Sequence, residues 1–325
     1  MLQLNNETPF TSTLTLFPDE HGVDALYVVV CARFAITGNR LSISEEQRPL
    51  RLADEFYGDP HRSSLRYPGE MHLRKPGTDV LLLGDAAVDG RPVERVDVSL
   101  RVGAIDKTIR VTGDRRWRGQ EGPASPAPFY RMPLRYERAR GGRRPDTGEL
   151  DPENPVGTGH HEDVPNLENP ARPMQHARDT PPPVGFGPIA PVWSPRRDRV
   201  GTYDERWRTT RAPYLPADFD PRYFHTAPAD QIYPGILRGG EPIELRNLWP
   251  TPHLRLRVPR CDLSASAHVA GTTEPILLSL ETLLIEPGEG HVDLQWRGAL
   301  TCDKRMVHID RVEIALKKLE LGGPG

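Results

Sequence analysis

Residues 120–259 hold 25 of the chain's 35 prolines, yet the same stretch is rich in Trp, Tyr and Phe. Proline removes a backbone donor and blocks helix interiors and inner strands, so such a segment ordinarily reads as a solvated linker. Disordered linkers are poor in aromatics, because they cannot bury enough apolar surface to offset chain entropy. This one carries Phe129, Tyr130, Trp193, Tyr203, Trp207, Tyr214, Phe219, Tyr223, Phe224, Tyr233 and Trp249. The combination predicts a long irregular chain that packs as extended arms over a sheet, on a partner, or on both. It points to a binding protein more than to an enzyme.

On either side the pattern is β. Asp24–Ile36 is a β-branched and apolar run, followed by a turn at Gly38-Asn39 and a return over Leu41–Ile43. Residues 48–78 read as a long ordered loop. Asp79–Val88 and Lys107–Thr112 read as strands, and Val93–Val102 alternates with period two, placing Val96, Val98, Leu100 and Val102 on one face. After Gly240 the candidates are Pro242–Leu248, Leu254–Val258, Ala265–Val269, Ile276–Ile285, Val292–Trp296 and Met306–Leu316, the last run alternatively an amphipathic strand followed by a helical turn. A short helix is expected near Asp218 or Pro228.

The expected fold is therefore mainly β. It has two antiparallel sheet or sandwich-like blocks, 1–118 and 240–325, joined by a Pro-rich arm region, 119–239, with few short helices. The two blocks are also compatible with one composite domain.

The totals narrow the function classes. Of 325 residues only 37% are hydrophobic and the net charge is −3. The mean hydropathy is −0.56 and the pI about 6.4. A lean core and a near-neutral surface argue against general polyanion binding. No apolar run is long enough for a membrane helix and the N-terminus lacks a secretory pattern, so a cytoplasmic location is expected. Cys31, Cys261 and Cys302 are scattered and odd in number, which reads as reduced, mostly buried thiols.

Four constellations carry potential chemistry. His160-His161-Glu162-Asp163 is the densest ligand set, but adjacent loop side chains diverge and no helical His spacing occurs; a polar loop is the better reading. Residues 105–145 carry eleven Lys or Arg against four Asp or Glu, with Trp117, Phe129, Tyr130 and Tyr136 interleaved. That suits a nucleic-acid module, an acidic protein partner, or arginines paired with the acidic remainder; the pI favours the latter two. Ser63 and Ser64 near His61 lack the strained elbow of a nucleophilic serine. Asp218 and Asp220 read as turn residues rather than an acid–base pair. No catalytic, cofactor or metal residues are therefore assigned.

Several motifs in order make the chain recognisable: LADEFYGDP (Leu52–Pro60), SSLRYPGEMHLRKPGTDVLLLG (Ser63–Gly84), GDRRW (Gly113–Trp117), NPVGTG (Asn154–Gly159), PNLENP (Pro165–Pro170), VGFGPIAPVWSPR (Val184–Arg196), GTYDERW (Gly201–Trp207), LPADFDPRYFHTAPADQ (Leu215–Gln231) and LETLLIEPGEGHVDLQWRG (Leu280–Gly298). Together they resemble a bacterial domain-of-unknown-function family encoded in type VI secretion clusters, beside PAAR-repeat and VgrG spike proteins. Glu281 stands where that pattern leads one to expect aspartate.

The resemblance implies a non-enzymatic adaptor or chaperone. It would bind a secreted effector at or near its PAAR domain and help load it onto the VgrG spike, with no nucleic-acid or membrane partner and no cofactor. The residues expected to contact the partner are Trp193, Tyr203, Trp207, Tyr214, Phe219, Tyr223, Phe224 and Trp249, with Arg115, Arg116 and Arg118 steering an acidic client. Open sheet edges are expected to add strand pairing. The alternatives are a hydrolase-type toxin and a nucleic-acid module built on 105–145.

Overall fold

The computed structural model describes residues 2–302 and 308–322. Its frame is three sheets that share one continuous apolar core. In the largest sheet the order is Ile232–Tyr233, Thr78–Leu82, Ser279–Glu286, His291–Thr301, Asp24–Thr37 and Thr11–Pro18. Arg40–Ile43 pairs with the far half of Asp24–Thr37, closing the hairpin expected at Gly38-Asn39. The pairings are antiparallel except that between Thr78–Leu82 and Ser279–Glu286.

A second sheet runs Leu167–Glu168, Ile105–Thr112, Arg95–Val102, Pro242–Arg246 and His253–Arg257. A third sets Gln3–Glu7 parallel to Ile309–Glu320, followed by Arg260–Val269 and Thr272–Ile276. The fold is mainly β, as the sequence pattern predicts.

The two β-rich blocks do not keep to separate sheets. Asp24–Thr37 pairs with His291–Thr301, and Arg95–Val102 with Pro242–Arg246. The arm supplies Ile232–Tyr233 and Leu167–Glu168 as short edge strands. The reason the blocks pair is burial: Leu26, Val28, Val30 and Phe34 find their apolar neighbours in Val292, Leu294 and Trp296 across the chain.

Two expected strands break. Asp79–Val88 splits at Leu83-Gly84, after which Asp85–Ala87 pairs with Arg131–Pro133. Ile276–Ile285 splits at Leu277-Leu278, where the corner packs onto Gly298. A β-carbon there would lie 2.6 Å from Ile276 Cγ2 and 2.8 Å from the Leu277 carbonyl oxygen. Near Asp218 and Pro228 the chain forms 3-10 turns, Pro221–Phe224 and Ala229–Gln231. The one α-helix among the described residues, Glu205–Thr210, was not expected; Asp204 caps it by accepting from the Trp207 amide. The final run is strand through Glu320, while Met306 and Val307 lie outside the described residues.

Candidate interaction surfaces

The largest sheet has two unlike faces. One carries Val30, Ala32, Leu283, Leu294 and Trp296 into the core. On the other, the period of two sets Asp79 beside Thr282, Gln295 beside Cys31, and Asp293 beside Arg33. The 48–78 loop and the arm cover this polar face and pair its charges. Asp79, fully buried, accepts from Lys75 Nζ at 2.7 Å, contacts His225 Nδ1 at 2.6 Å, and accepts from the Thr226 amide at 2.8 Å. Burial pushes the Asp79 carboxyl upward, but Lys75 and His225 outweigh it and hold the group well below the usual carboxylate range.

The strand ladder skips Glu281, and this bulge aims its carboxylate at Arg297 across 3.0 Å, both side chains being fully buried. Burial raises the Glu281 carboxyl, opposed by Arg297 and Lys75. Arg33 grips Asp293 through two bonds of 2.8 and 2.9 Å, and Arg48 grips Glu70 through two of 2.9 and 2.6 Å. Further along, buried Lys107 donates to Gly185 O, Asp230 and Gln231, and burial lowers its pKa against the pull of Asp230. Gln231 in turn donates to Val80 O and Phe186 O.

Most of these groups come from the stretches Ser63–Gly84, Leu280–Gly298 and Leu215–Gln231, with Arg33, Arg48 and Lys107 added from outside them. The residues that make the chain recognisable thus meet in space, where they clamp loop and arm onto the sheet. Removing one member of such a buried pair strands the other charge, at a cost of about 3–5 kcal/mol.

On this clamp sits an aromatic cluster. Tyr203 and Trp207 meet edge-on at 4.6 Å, and Trp207 Nε1 donates to the Tyr214 carbonyl. Phe219, Tyr223 and Phe224 contact one another at 5.3 to 5.8 Å. Tyr203 is 53% and Tyr214 41% exposed. Trp207, Phe219, Tyr223 and Phe224 are half-buried, Phe224 stacking on His72 and packing beside Ala25, Tyr27 and Leu73. A cleft of about 380 Å³ opens here, walled by Asp19, Tyr27, Arg74, Phe219 and Phe224.

The remaining expected contact residues divide. Trp193 is only 2% exposed and meets Tyr136 edge-on at 5.6 Å inside the core, so it is not a surface residue. Arg115 is likewise withdrawn, its buried guanidinium bonded to Glu168. Both expectations erred because composition does not report which face a loop residue turns inward. Arg116 and Arg118 are exposed, Arg116 near Asp163 at 3.6 Å. Much of the basic tract is paired: Arg110 with Asp97, Arg131 with Asp85, Arg138 with Asp114, and Arg140 with Asp151. Trp249 lies apart from the cluster, with the Arg131 guanidinium 4.0 Å over its ring.

Trp249 belongs to a second surface that composition does not disclose. Arginine and tyrosine alternate along it: Arg135 lies 3.9 Å from the Tyr57 ring, Arg66 5.7 Å from Tyr57 and 4.8 Å from Tyr67, and Arg51 4.1 Å from Tyr67. Burial pushes the Tyr57 hydroxyl up to about 12, against the nearby Arg135 and Arg66. A cleft of about 400 Å³ opens between this ladder and Trp249. Arg and Tyr stacks of this kind hold contact area at low entropic cost.

His160 and His161 bond to separate carbonyls, Ala177 and Arg143, and no cluster of three metal-ligating side chains occurs among the described residues. Ser63 Oγ donates to the Asp59 carbonyl and Ser64 Oγ to Glu137. Cys31 and Cys302 are buried and Cys261 is half-buried. Among the described residues no helix is long and apolar enough to cross a membrane.

Residues 21–297 match the family described as an uncharacterized protein conserved in bacteria (DUF2169), and the chain belongs to that family. Comparison with curated proteins and with solved structures found no match.

Proposed function

We propose that this chain is a non-enzymatic, cytoplasmic adaptor or chaperone for a type VI secretion effector. It binds the effector at or near its PAAR domain and helps load it onto the VgrG spike. The observation that carries the reading is the set of rings Tyr203, Trp207, Tyr214, Phe219, Tyr223 and Phe224, part-exposed on the arm, with Phe219 and Phe224 lining a cleft and the buried Asp79 contacts tying the adjoining His225 to the sheet. A surface of exposed aromatics on a rigid mount binds with little ordering cost, which is what a reversible carrier needs. The motifs from Leu52–Pro60 to Leu280–Gly298 supply the type VI secretion context, by resemblance.

The test is co-expression with the effector encoded beside this gene. Tyr203→Ala with Tyr214→Ala is the cleanest pair, since neither ring is buried. The complex is expected to weaken while the thermal midpoint stays unchanged. If the double variant captures the effector as the parent chain does, the cluster is structural. If no complex forms with the parent chain, the adaptor reading fails.

A further inference from the structure

The paths of the three principal sheets end in six strands, Arg40–Ile43 adding a short flank beside Thr11–Pro18, and five of the six ends are protected in recognisable ways. Ile232–Tyr233 and Leu167–Glu168 are only two residues long. His253–Arg257 turns His253, Arg255 and Arg257 to solvent. Thr272–Ile276 contains Glu274 and Pro275, and Gln3–Glu7 is short and ends in a carboxylate. The sixth differs. Thr11–Phe17 (TSTLTLF) carries no charge and no proline before Pro18, and it pairs along its whole length with Asp24–Cys31 on one side. Among the described residues its outer side has no strand partner.

This edge also leads to the aromatic cluster. At its end, Gly22 holds φ +84° and a β-carbon there would lie 3.1 Å from the Tyr214 ring. Arg211 donates to the Glu20 carbonyl at 2.7 Å. Phe17 packs in one cluster with Leu215 and Phe224, and Asp19 and Glu20 line the cleft of about 380 Å³.

We propose that Thr11–Phe17 accepts an extended strand of the effector, extending the largest sheet by one strand, while the residue beyond that strand enters the adjoining cleft. The inference rests on the adaptor reading and locates its main contact. Main-chain hydrogen bonds supply the affinity. Specificity follows from the pleat. Guest residues beside Leu14 and Leu16, the latter 44% exposed, are apolar, and those beside Thr13 are small or β-branched, Thr15 being already buried. A second copy of this chain fits less well: antiparallel pairing about Leu14 brings the turn after one strand, with Asp19 and Glu20, toward the segment before the other, which ends Gln3–Glu7 in a carboxylate.

Hydrogen exchange on the co-expressed complex of the full chain and the neighbouring effector decides the matter. In the free chain the outward amides of Thr11–Phe17 exchange fast at every protein concentration; in the complex they become protected. Thr13→Lys and Leu16→Lys weaken the complex by at least about tenfold, equivalent to about 1.4 kcal/mol, with the thermal midpoint held. Thr13→Val leaves it intact, because the guest reads the main chain.

A complex that forms without protecting this edge overturns the inference and spares the adaptor reading. Protection already present in the free chain, or appearing with concentration alone, overturns it in favour of an internal cover or a second copy. Absence of any complex removes both.

Discussion

Two stretches of the same Pro-rich arm meet opposite fates. Residues 184–196 and 225–231 place Phe186, Trp193, His225 and Gln231 in the interior. Residues 203–224, equally aromatic, leave Tyr203 and Tyr214 largely in solvent. The difference is what each stretch can offer the polar sheet face. The first brings His225, Thr226 and Gln231, which satisfy Asp79 and the carbonyls of Val80 and Phe186. The second satisfies itself: Asp204 caps its own helix, Trp207 Nε1 bonds to Tyr214, and Asp218 accepts from Thr202. A loop that completes its own hydrogen bonds is free to keep its rings at the surface.

The largest break in this contrast is expected at the clamp. Asp79→Ala strands Lys75 in the interior and is expected to cost about 3–5 kcal/mol, read from the urea midpoint. Limited proteolysis should then cut within 197–230 first, since that stretch loses its tie. If the variant is as stable as the parent, the clamp is not what fixes the arm.

Next comes the aromatic pair that tests burial directly. Trp193→Ala is expected to destabilise by about 3–5 kcal/mol, whereas Tyr203→Ala stays within about 0.5 kcal/mol. Equal effects in thermal unfolding would erase the distinction between anchor and surface.

The pH response is smaller and has a definite sign. The folded Asp79 carboxyl lies below its unfolded value, so its contribution is present above the unfolded pKa and is lost as pH falls through the folded one. The stability gap between the parent chain and Asp79→Asn should therefore be widest near neutral pH and narrow on acidification. Glu281, shifted the opposite way, contributes stability at low pH that is lost as pH rises, so the cost of Glu281→Gln should be largest in acid and shrink as pH rises. Urea titrations across pH 3–7 compare the two; a gap for Asp79→Asn that widens in acid contradicts the assignment.

The smallest structural effect belongs to the arginine–tyrosine ladder. Arg135→Ala leaves stability within about 0.5 kcal/mol and, if that face is a second contact, weakens the effector complex alone. An unchanged complex would confine binding to the arm and its neighbouring edge.

Much of the frame was legible because period-two alternation survives in Arg95–Val102 and because Asp24–Thr37 is a nearly unbroken apolar run, buried from Ala25 to Ala32. The helix at Glu205–Thr210 was not read from the sequence, because one capping residue, Asp204, and six helical positions are too short a run to show a period. The surfaces were less so. Trp193 and Tyr203 are indistinguishable by composition, and the ladder joins Arg135 to Tyr57 and Tyr67 across more than half a hundred residues of intervening chain, which no local pattern encodes.

The order of residues by itself determined the β class, the irregular arm and the alternation that gives each strand two faces. These depend on neighbours a few positions away, whose sterics and periodicity are local. Tertiary structure alone decided which rings stay wet, which arginines are spent on carboxylates and which edge stands open. Those outcomes depend on desolvation, and a group loses its water only to whatever the whole fold sets against it.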